Sequence, residues 1–288
     1  AQRIRSTSRL PSRVSIILKG GKPLASLKQS WKDFWRYRYL LQNLITRDFK
    51  LKYRRSVLGV AWSVLNPLLM CLVMYAIFTS IFAGMRGQNI DNFAVFLLVG
   101  QLLFNFFRES TTMAMESVLK NAPLLRKVYI PKYIFPLEKV CFGLVNCLFS
   151  FVALVLVMLI THTPLHLSFI LCVYPLATLF FFCLGIGLFL SATYVFFRDV
   201  MHMWEVFCTA LTYASAIFYD PEQMTGIVYH LIHLNPLYWY ITAFRSCVLW
   251  GQGLTGLMVL VCGGCAVFSM AVGVFFFKRN QDRFVLYM

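Results

Sequence analysis

Charge is scarce in this sequence. Asp, Glu, Lys and Arg make up only 13% of its 288 residues, about half the ~25% usual in soluble domains. Acidic side chains are the scarcest, eleven in all and mostly at the ends of apolar runs. That leaves few carboxylates for a proton relay through a membrane. There is no G-x-x-x-x-G-K-[ST] phosphate loop: Gly20-Gly21-Lys22-Pro23 lacks the leading glycine spacing and the hydroxyl that would meet magnesium. A G-x-S-x-G elbow and an H-E-x-x-H pair are absent too. No catalytic residue and no cofactor bound by this chain are therefore expected, and any work it does needs an outside energy source. His230 and His233 lie one turn apart without a third ligand, so no metal centre is expected. All nine cysteines fall in apolar segments, and Cys262-Gly-Gly-Cys265 reads as small residues on a helix-packing face.

Apolar residues are what the sequence has in plenty, at 59%, with 17% aromatic. Several runs approach or exceed the ~20 residues that cross a ~30 Å hydrocarbon core. The expected fold class is an all-α integral membrane protein. The net charge of +16 could suggest nucleic acid, but fifteen of the 27 Lys and Arg residues precede Val57. Most of the others cluster at 120–139 and 278–283. Basic residues hugging span ends mark cytoplasmic flanks and anionic lipid headgroups, so no nucleic-acid partner is expected.

Six spans are expected, at about 57–82, 93–118, 138–160, 168–197, 203–219 and 254–277. The helix of the second continues past the membrane through Arg108, Glu109 and Glu116. The stretch Gly226 to Trp250 is apolar enough for a seventh, but Pro236 and Arg245 interrupt it. Six spans keep Lys278, Arg279 and Arg283 on the side of the basic N-terminal region, whereas seven would strand them outside. Gly226–Trp250 is therefore read as a re-entrant helical hairpin on the outer side, with both termini in the cytoplasm. Residues 1–30 read as a basic, loosely ordered segment without a secretory signal, since Val14–Leu18 is too short for its apolar stretch. Residues 31–52 read as an amphipathic interface helix. Trp31, Phe34, Trp35, Tyr39, Leu41, Ile45 and Phe49 share one face, and Lys32, Arg36, Asn43, Arg47 and Lys50 share the other. The transmembrane domain then occupies 53–288.

One short polar segment, Leu119–Lys132, interrupts the apolar runs between the second and third spans. Pro123 and Pro131 bracket about two helical turns carrying Leu124, Leu125 and Val128 beside Arg126 and Lys127. Apolar anchors with cations at their rim suit docking onto another protein with acidic groups.

Four motifs, in order, carry a family resemblance. They are Tyr53-Arg-Arg-Ser-Val-Leu-Gly-Val-Ala-Trp62 with Asn66-Pro67; Asn121 and Leu124 with Lys127-Val-Tyr-Ile-Pro131 and Pro136-Leu137; Phe197-Arg-Asp-Val200; and Leu234-Asn-Pro-Leu237 with Phe244-Arg245. Together they resemble the membrane subunits of type-2 ABC exporters, most closely those for O-antigen, capsule or teichoic-acid polymers. The resemblance implies a homodimer of this chain in the bacterial cytoplasmic (inner) membrane. It also implies two copies of a separate ABC ATPase that binds ATP and Mg, and a lipid-linked polysaccharide as substrate. It makes Asn121, Leu124, Leu125, Arg126, Lys127, Val128 and Tyr129 the cytoplasmic coupling helix. Asn235, Pro236 and Arg245 would belong to the outer gate.

The interface helix, with Trp31, Phe34 and Trp35, would receive the lipid-linked end. Its cations, among them Arg47, Lys50, Lys52, Arg54 and Arg55, would attract the pyrophosphate. Sugars stack their C–H faces on aromatic rings, which makes Trp62, Tyr75, Phe78 and Phe82 in the first span channel-lining candidates, with Tyr213, Phe218 and Tyr219 in the fifth; rings facing lipid or a neighbouring helix are the alternative. The chain departs from the pattern at Ser215-Ala-Ile-Phe-Tyr219, where the family usually has Ser-Pro-Ile-x-Tyr. Two other readings stay open: a type-2 ABC permease for a small hydrophobic compound, and a membrane-embedded transferase of lipid-linked sugars.

Overall fold

The computed structural model describes residues 27–80, 92–127, 130–164, 166–221, 224 and 226–287, without the side chains of 27–36, 285 and 286. The chain divides into two units, Ala1–Gln42 and Asn43–Met288. Helix α1, Leu27–Lys52, contains the boundary. The second unit continues with α2 (Trp62–Ser80), α3 (Phe93–Lys120), α4 (Ala122–Leu125), α5 (Ile134–Ile160) and α6 (Val173–Phe196). It closes with α7 (Val200–Ala214), α8 (Ile227–Leu234), α9 (Pro236–Val248), α10 (Gly256–Asn280) and α11 (Phe284–Tyr287). The described residues contain no strand.

Among the described residues, five helical stretches are long and apolar enough to cross a membrane: Gly59–Ser80, Phe93–Lys120, Ile134–Ile160, Leu167–Phe196 and Gly256–Arg283. They coincide with the first, second, third, fourth and last expected spans. The expected fifth span, 203–219, is not one unbroken helix. Helix α7 has 15 residues, a rise of about 22 Å that falls short of a ~30 Å core. It ends because Ala216 turns left-handed, at φ 48°. The proline usual in the resembling family could not take that conformation, since its ring fixes φ near −65°.

Helix α3 is the centre of the bundle, packed by α2, α5, α6, α7 and α9. Its buried residues include Val95, Leu98, Val99, Leu102, Leu103, Phe107, Ala114 and Val118. Helices α6 and α10 meet most closely where Gly185 faces Gly273. A Cβ on Gly185 would lie 2.3 Å from the Ser269 carbonyl carbon, and one on Gly273 would lie 2.1 Å from the Gly185 oxygen. The two backbones touch, as small residues permit between membrane helices.

The Gly226–Trp250 stretch folds into two helices, α8 and α9, and neither is long enough to cross. Asn235 divides them and joins them to α7. Its Oδ1 accepts from the Leu237 N–H at 3.0 Å, capping α9 with Pro236 at the first helical position. Its Nδ2 donates to Ser215 Oγ at 2.9 Å and to the Ala214 carbonyl at 3.2 Å, where α7 ends. One turn from the end of α9, Arg245 is 1% exposed. Its guanidinium donates to the carbonyls of Ala216 at 2.9 Å, Ile217 at 3.1 Å and Phe96 at 3.1 Å. It also lies 3.3 Å above the Phe96 ring. Gly100 leaves the room for it, since a Cβ there would sit 2.8 Å from Nη2.

Two outcomes follow for purified protein. Arg245→Met removes the donors from three carbonyls, of which those of Ala216 and Ile217 lie outside the helices and lose their bond at about 1–3 kcal/mol each, and thermal denaturation in detergent should show a large loss. Arg245→Lys should recover only part of it, because one ammonium lacks the forked reach. Gly185→Val should abolish the monodisperse peak in size-exclusion chromatography, because backbone atoms cannot yield. Gly264→Ala, with nothing within 4 Å of the new Cβ, should leave that peak unchanged.

Candidate functional site: a polar cleft and a basic turn

Beyond Gly100, the residues of α3 that keep access to the outside are Gln101, Asn105, Arg108, Glu109, Thr112, Met113, Glu116, Leu119 and Lys120. Their spacing of three and four places them on one helix face, and nearly all are polar. Counting from Phe93, Gln101 lies about 12 Å and Asn105 about 18 Å along the helix. Both lie well inside the stretch Phe93–Lys120, which is long and apolar enough to cross a membrane. The face opens into a cleft of about 680 Å³, walled by Ser63, Asn66, Pro67 and Met70 of α2 and by Gly143, Asn146 and Ser150 of α5. Gly143 keeps this wall close, since a Cβ there would meet Ser110 Oγ at 2.1 Å.

At its basic end the cleft is closed by a polar network. Lys52 Nζ pairs with Glu109 Oε1 at 2.7 Å, and Asn146 Nδ2 donates to Glu109 Oε2 at 2.9 Å. Asn146 Oδ1 accepts from Ser63 Oγ at 3.1 Å and from the Tyr53 hydroxyl at 3.2 Å. Tyr53 and Ser63 are themselves hydrogen-bonded. The network ties the end of α1 to α2, α3 and α5. Both partners of the ion pair are about one third exposed, so solvent screens it and its value is geometric.

The expected cation face of the interface helix splits here. Lys52 leaves it for Glu109, while Arg47, Lys50 and Arg54 stay together with Asn43, Thr46 and Leu51 around a shallow groove. Arg55 is exposed at a left-handed turn, φ 64°. Asp48 pairs with Arg47 at 3.0 Å and with Lys139 at the start of α5. Burial pushes the Asp48 carboxyl up, but the bonds and charge of Lys139 and Arg47 outweigh it and hold the pKa below the usual value. Phe49 packs 4.7 Å from Phe142 and 5.9 Å from Phe149. The expected contacts of Trp31, Phe34 and Trp35 lie outside the described side chains.

Among the described residues of the segment between α3 and α5, one helical turn, α4, is formed. Asn121 Nδ2 donates to the Ser117 carbonyl at 2.8 Å, finishing α3, and Pro123 starts the turn. Leu124 is half-buried and Leu125 packs against the bundle's own core, while Arg126 and Lys127 are exposed. The exposed surface of this turn is thus mainly cationic. Val128 and Tyr129 lie outside the described residues.

The aromatic channel candidates separate into two groups. Trp62 lines the cleft. Tyr75 and Tyr213 are also exposed, at 40% and 66%. Phe78 stacks on Phe218, with centroids 5.4 Å apart and 9° between planes, and lies 6.1 Å from Phe93. Those two rings pack helices together. The Tyr219 hydroxyl donates to the Tyr213 carbonyl at 2.6 Å, and Phe82 lies outside the described residues. Asn235, Pro236 and Arg245, expected at an outer gate, hold the hairpin to α7 and α3. His233 Nδ1 hydrogen-bonds the Tyr229 carbonyl at 2.8 Å. Sequence reasoning missed Gln101, Asn105, Thr112 and Asn146. Their signal was present as polar residues at helical spacing inside apolar runs, but an apolar average hides a narrow stripe.

Proteins with export functions are among those the chain is similar to. It shares 28% identity over 253 residues with the O-antigen export system permease protein RfbA of Klebsiella pneumoniae, covering 85% of this chain and 93% of that one. With the RfbA of Myxococcus xanthus it shares 31% over 223 residues, covering 75% and 82%. With the capsule polysaccharide export inner-membrane protein CtrC of Neisseria meningitidis it shares 23% over 207 residues, covering 70% and 76%. The family model described as ABC-2 type transporter matches residues 39–249, and this chain belongs to that family.

Proposed function

We propose that this chain is the membrane subunit of an ATP-driven exporter that moves a lipid-linked polysaccharide across the bacterial cytoplasmic membrane. The observation that carries the proposal is the face of α3. Beyond Gly100 it is the one accessible side of the most buried of the five long helices, it is polar at hydrocarbon depth, and it opens into a cleft. Polar groups facing lipid are costly, so the stripe needs a polar counterpart. Two copies of the chain, with their clefts facing, would enclose a hydrophilic track. Gln101, Asn105, Thr112 and Asn146 offer hydrogen bonds to sugar hydroxyls, and Trp62 offers a ring for their C–H faces. No deep binding well is needed for a polymer that must slide. A small apolar cargo would instead favour an apolar lining. The export functions named in the relatives support the same reading.

Helix α7 and the turn after it would complete a sixth crossing, with α8 and α9 re-entering from the outer side. Both termini then lie in the cytoplasm, as does the turn from Asn121 to Lys127. A separate ATPase, in two copies with its own ATP and Mg, would dock there. Arg126 and Lys127 would meet acidic groups, with Leu124 as the apolar contact. Because α4 follows α3 directly, closure of the ATPases would push on the helix that lines the track. The groove at Arg47, Lys50 and Arg54 would receive the pyrophosphate end of the substrate.

Gln101→Leu with Asn105→Leu should cut surface polysaccharide about ten-fold or more while the ATPase still co-purifies, consistent with loss of two or more hydrogen bonds per sugar step. Export at the wild-type level would remove the track from α3. Leu124→Asp with Arg126→Asp and Lys127→Asp should abolish co-purification of the ATPase while the chain remains monodisperse. Retained binding would place the docking surface elsewhere.

A further inference from the structure

A second cleft lies between α5, α6 and α10. Its floor is Leu184 and Leu188 of α6, and its walls are Leu137 of α5 and Met270 and Val274 of α10. It encloses about 450 Å³, within the range of small-ligand sites. Its origin is the contact of Gly185 with Gly273. Bringing the two backbones together there fixes α6 and α10, and the side chains just beyond the contact stand apart and leave a slot. The slot borders the outward face of α10, where Val267, Phe268 and Phe275 are 71%, 71% and 59% exposed. It therefore opens sideways onto an apolar surface rather than into water.

The mouth of the slot is basic. Lys132 and Lys278 stand at its rim with one carboxylate, Asp282. Lys132 is held there: its ammonium donates to the Gln281 carbonyl and lies 5.5 Å over the Phe284 ring. An apolar slot beside an exposed apolar helix face, with two ammonium groups at its end, is complementary to a lipid carrying an anionic headgroup. The inner leaflet supplies such lipids, and basic residues near its surface attract them.

We propose that this cleft binds an anionic phospholipid of the inner leaflet, with its phosphate at Lys132 and Lys278 and one acyl chain along Leu184, Leu188, Met270 and Val274. The proposal shares the membrane orientation of the reading above but not its substrate. The bound lipid fills the space between the exit of the basic turn, at Ile130–Tyr133, and the α6–α10 pair. It thereby braces the turn against the bundle.

The test uses the full-length chain in phosphatidylcholine vesicles holding a trace of phosphatidylglycerol with a photoreactive acyl chain. Peptide mapping after illumination should find adducts at 184–188 and 270–274. Unlabelled phosphatidylglycerol should compete and additional phosphatidylcholine should not. Lys132→Gln and Lys278→Gln should each weaken competition about five-fold, the effect of one basic residue near an anionic surface. Leu188→Trp should block the adducts, and Val274→Trp, at the half-buried wall, serves if the first variant does not fold. Equal competition by phosphatidylcholine, or adducts unchanged by both lysine substitutions, would overturn the proposal. So would displacement by a polyprenyl phosphate but not by phosphatidylglycerol, which would make the cleft a substrate site. Loss of adducts on adding the ATPase would make it a protein interface. Polysaccharide export is not among the readouts, so failure here leaves the export reading standing, and the reverse.

Discussion

The structure depends on what Arg245 does for a broken backbone. Chain that interrupts its helices at membrane depth survives only if protein or water satisfies the freed peptide groups. After α7 the left-handed turn at Ala216 frees the carbonyls of Ala216 and Ile217, and Arg245 takes both along with that of Phe96 on α3. A guanidinium suits this task because its donors are arranged in a rigid fork and its flat face can lie on a ring. Asn235 performs the matching task at the bend of the hairpin, capping α9 while closing α7. The hairpin, the end of α7 and the Phe93 end of α3 are thereby one body.

That arrangement gives α3 two functions along its length. Toward Phe93 it is buried on nearly every side and carries the hairpin through Phe96 and Gly100. Beyond Gly100 it exposes a single polar stripe, and at Lys120 it passes into the basic turn. A rod of 28 residues spans about 42 Å. A displacement at its basic end thus reaches the polar cleft through one continuous helix. The Lys52–Glu109–Asn146 network adds the end of α1 to the same rod.

Much of the fold could be read from residue order. Of the six spans read from the long apolar runs, five are helices of crossing length among the described residues; basic clusters marked their ends, and Pro123 and Asn235-Pro236 punctuated the chain where helices start. The channel candidates were less legible. Aromatic residues are plentiful in the first and fifth expected spans, and composition does not distinguish a ring that lines a path from one that fills a seam. Phe78 and Phe218 turned out to stack on each other, whereas Trp62 opens into the cleft. Leu125, expected as part of an exposed anchor, packs inward because the turn is one residue removed from α3 and must follow its packing face.

The sequence by itself determined the membrane class, the place of five of the six expected long helices and the absence of a phosphate loop. Each of these rests on local hydrophobicity, charge or spacing. Only the tertiary structure decided which polar residues share an open face, that Lys52 turns to Glu109, and that Arg245 serves the carbonyls of Ala216, Ile217 and Phe96. Those partners lie 28, 29, 57 and 149 positions apart. Periodicity within one helix cannot specify which face meets which neighbour when nearly every face is apolar. Packing settles it, through the few positions, such as Gly100, Gly143 and Gly185, where only a missing side chain lets helices and polar groups meet.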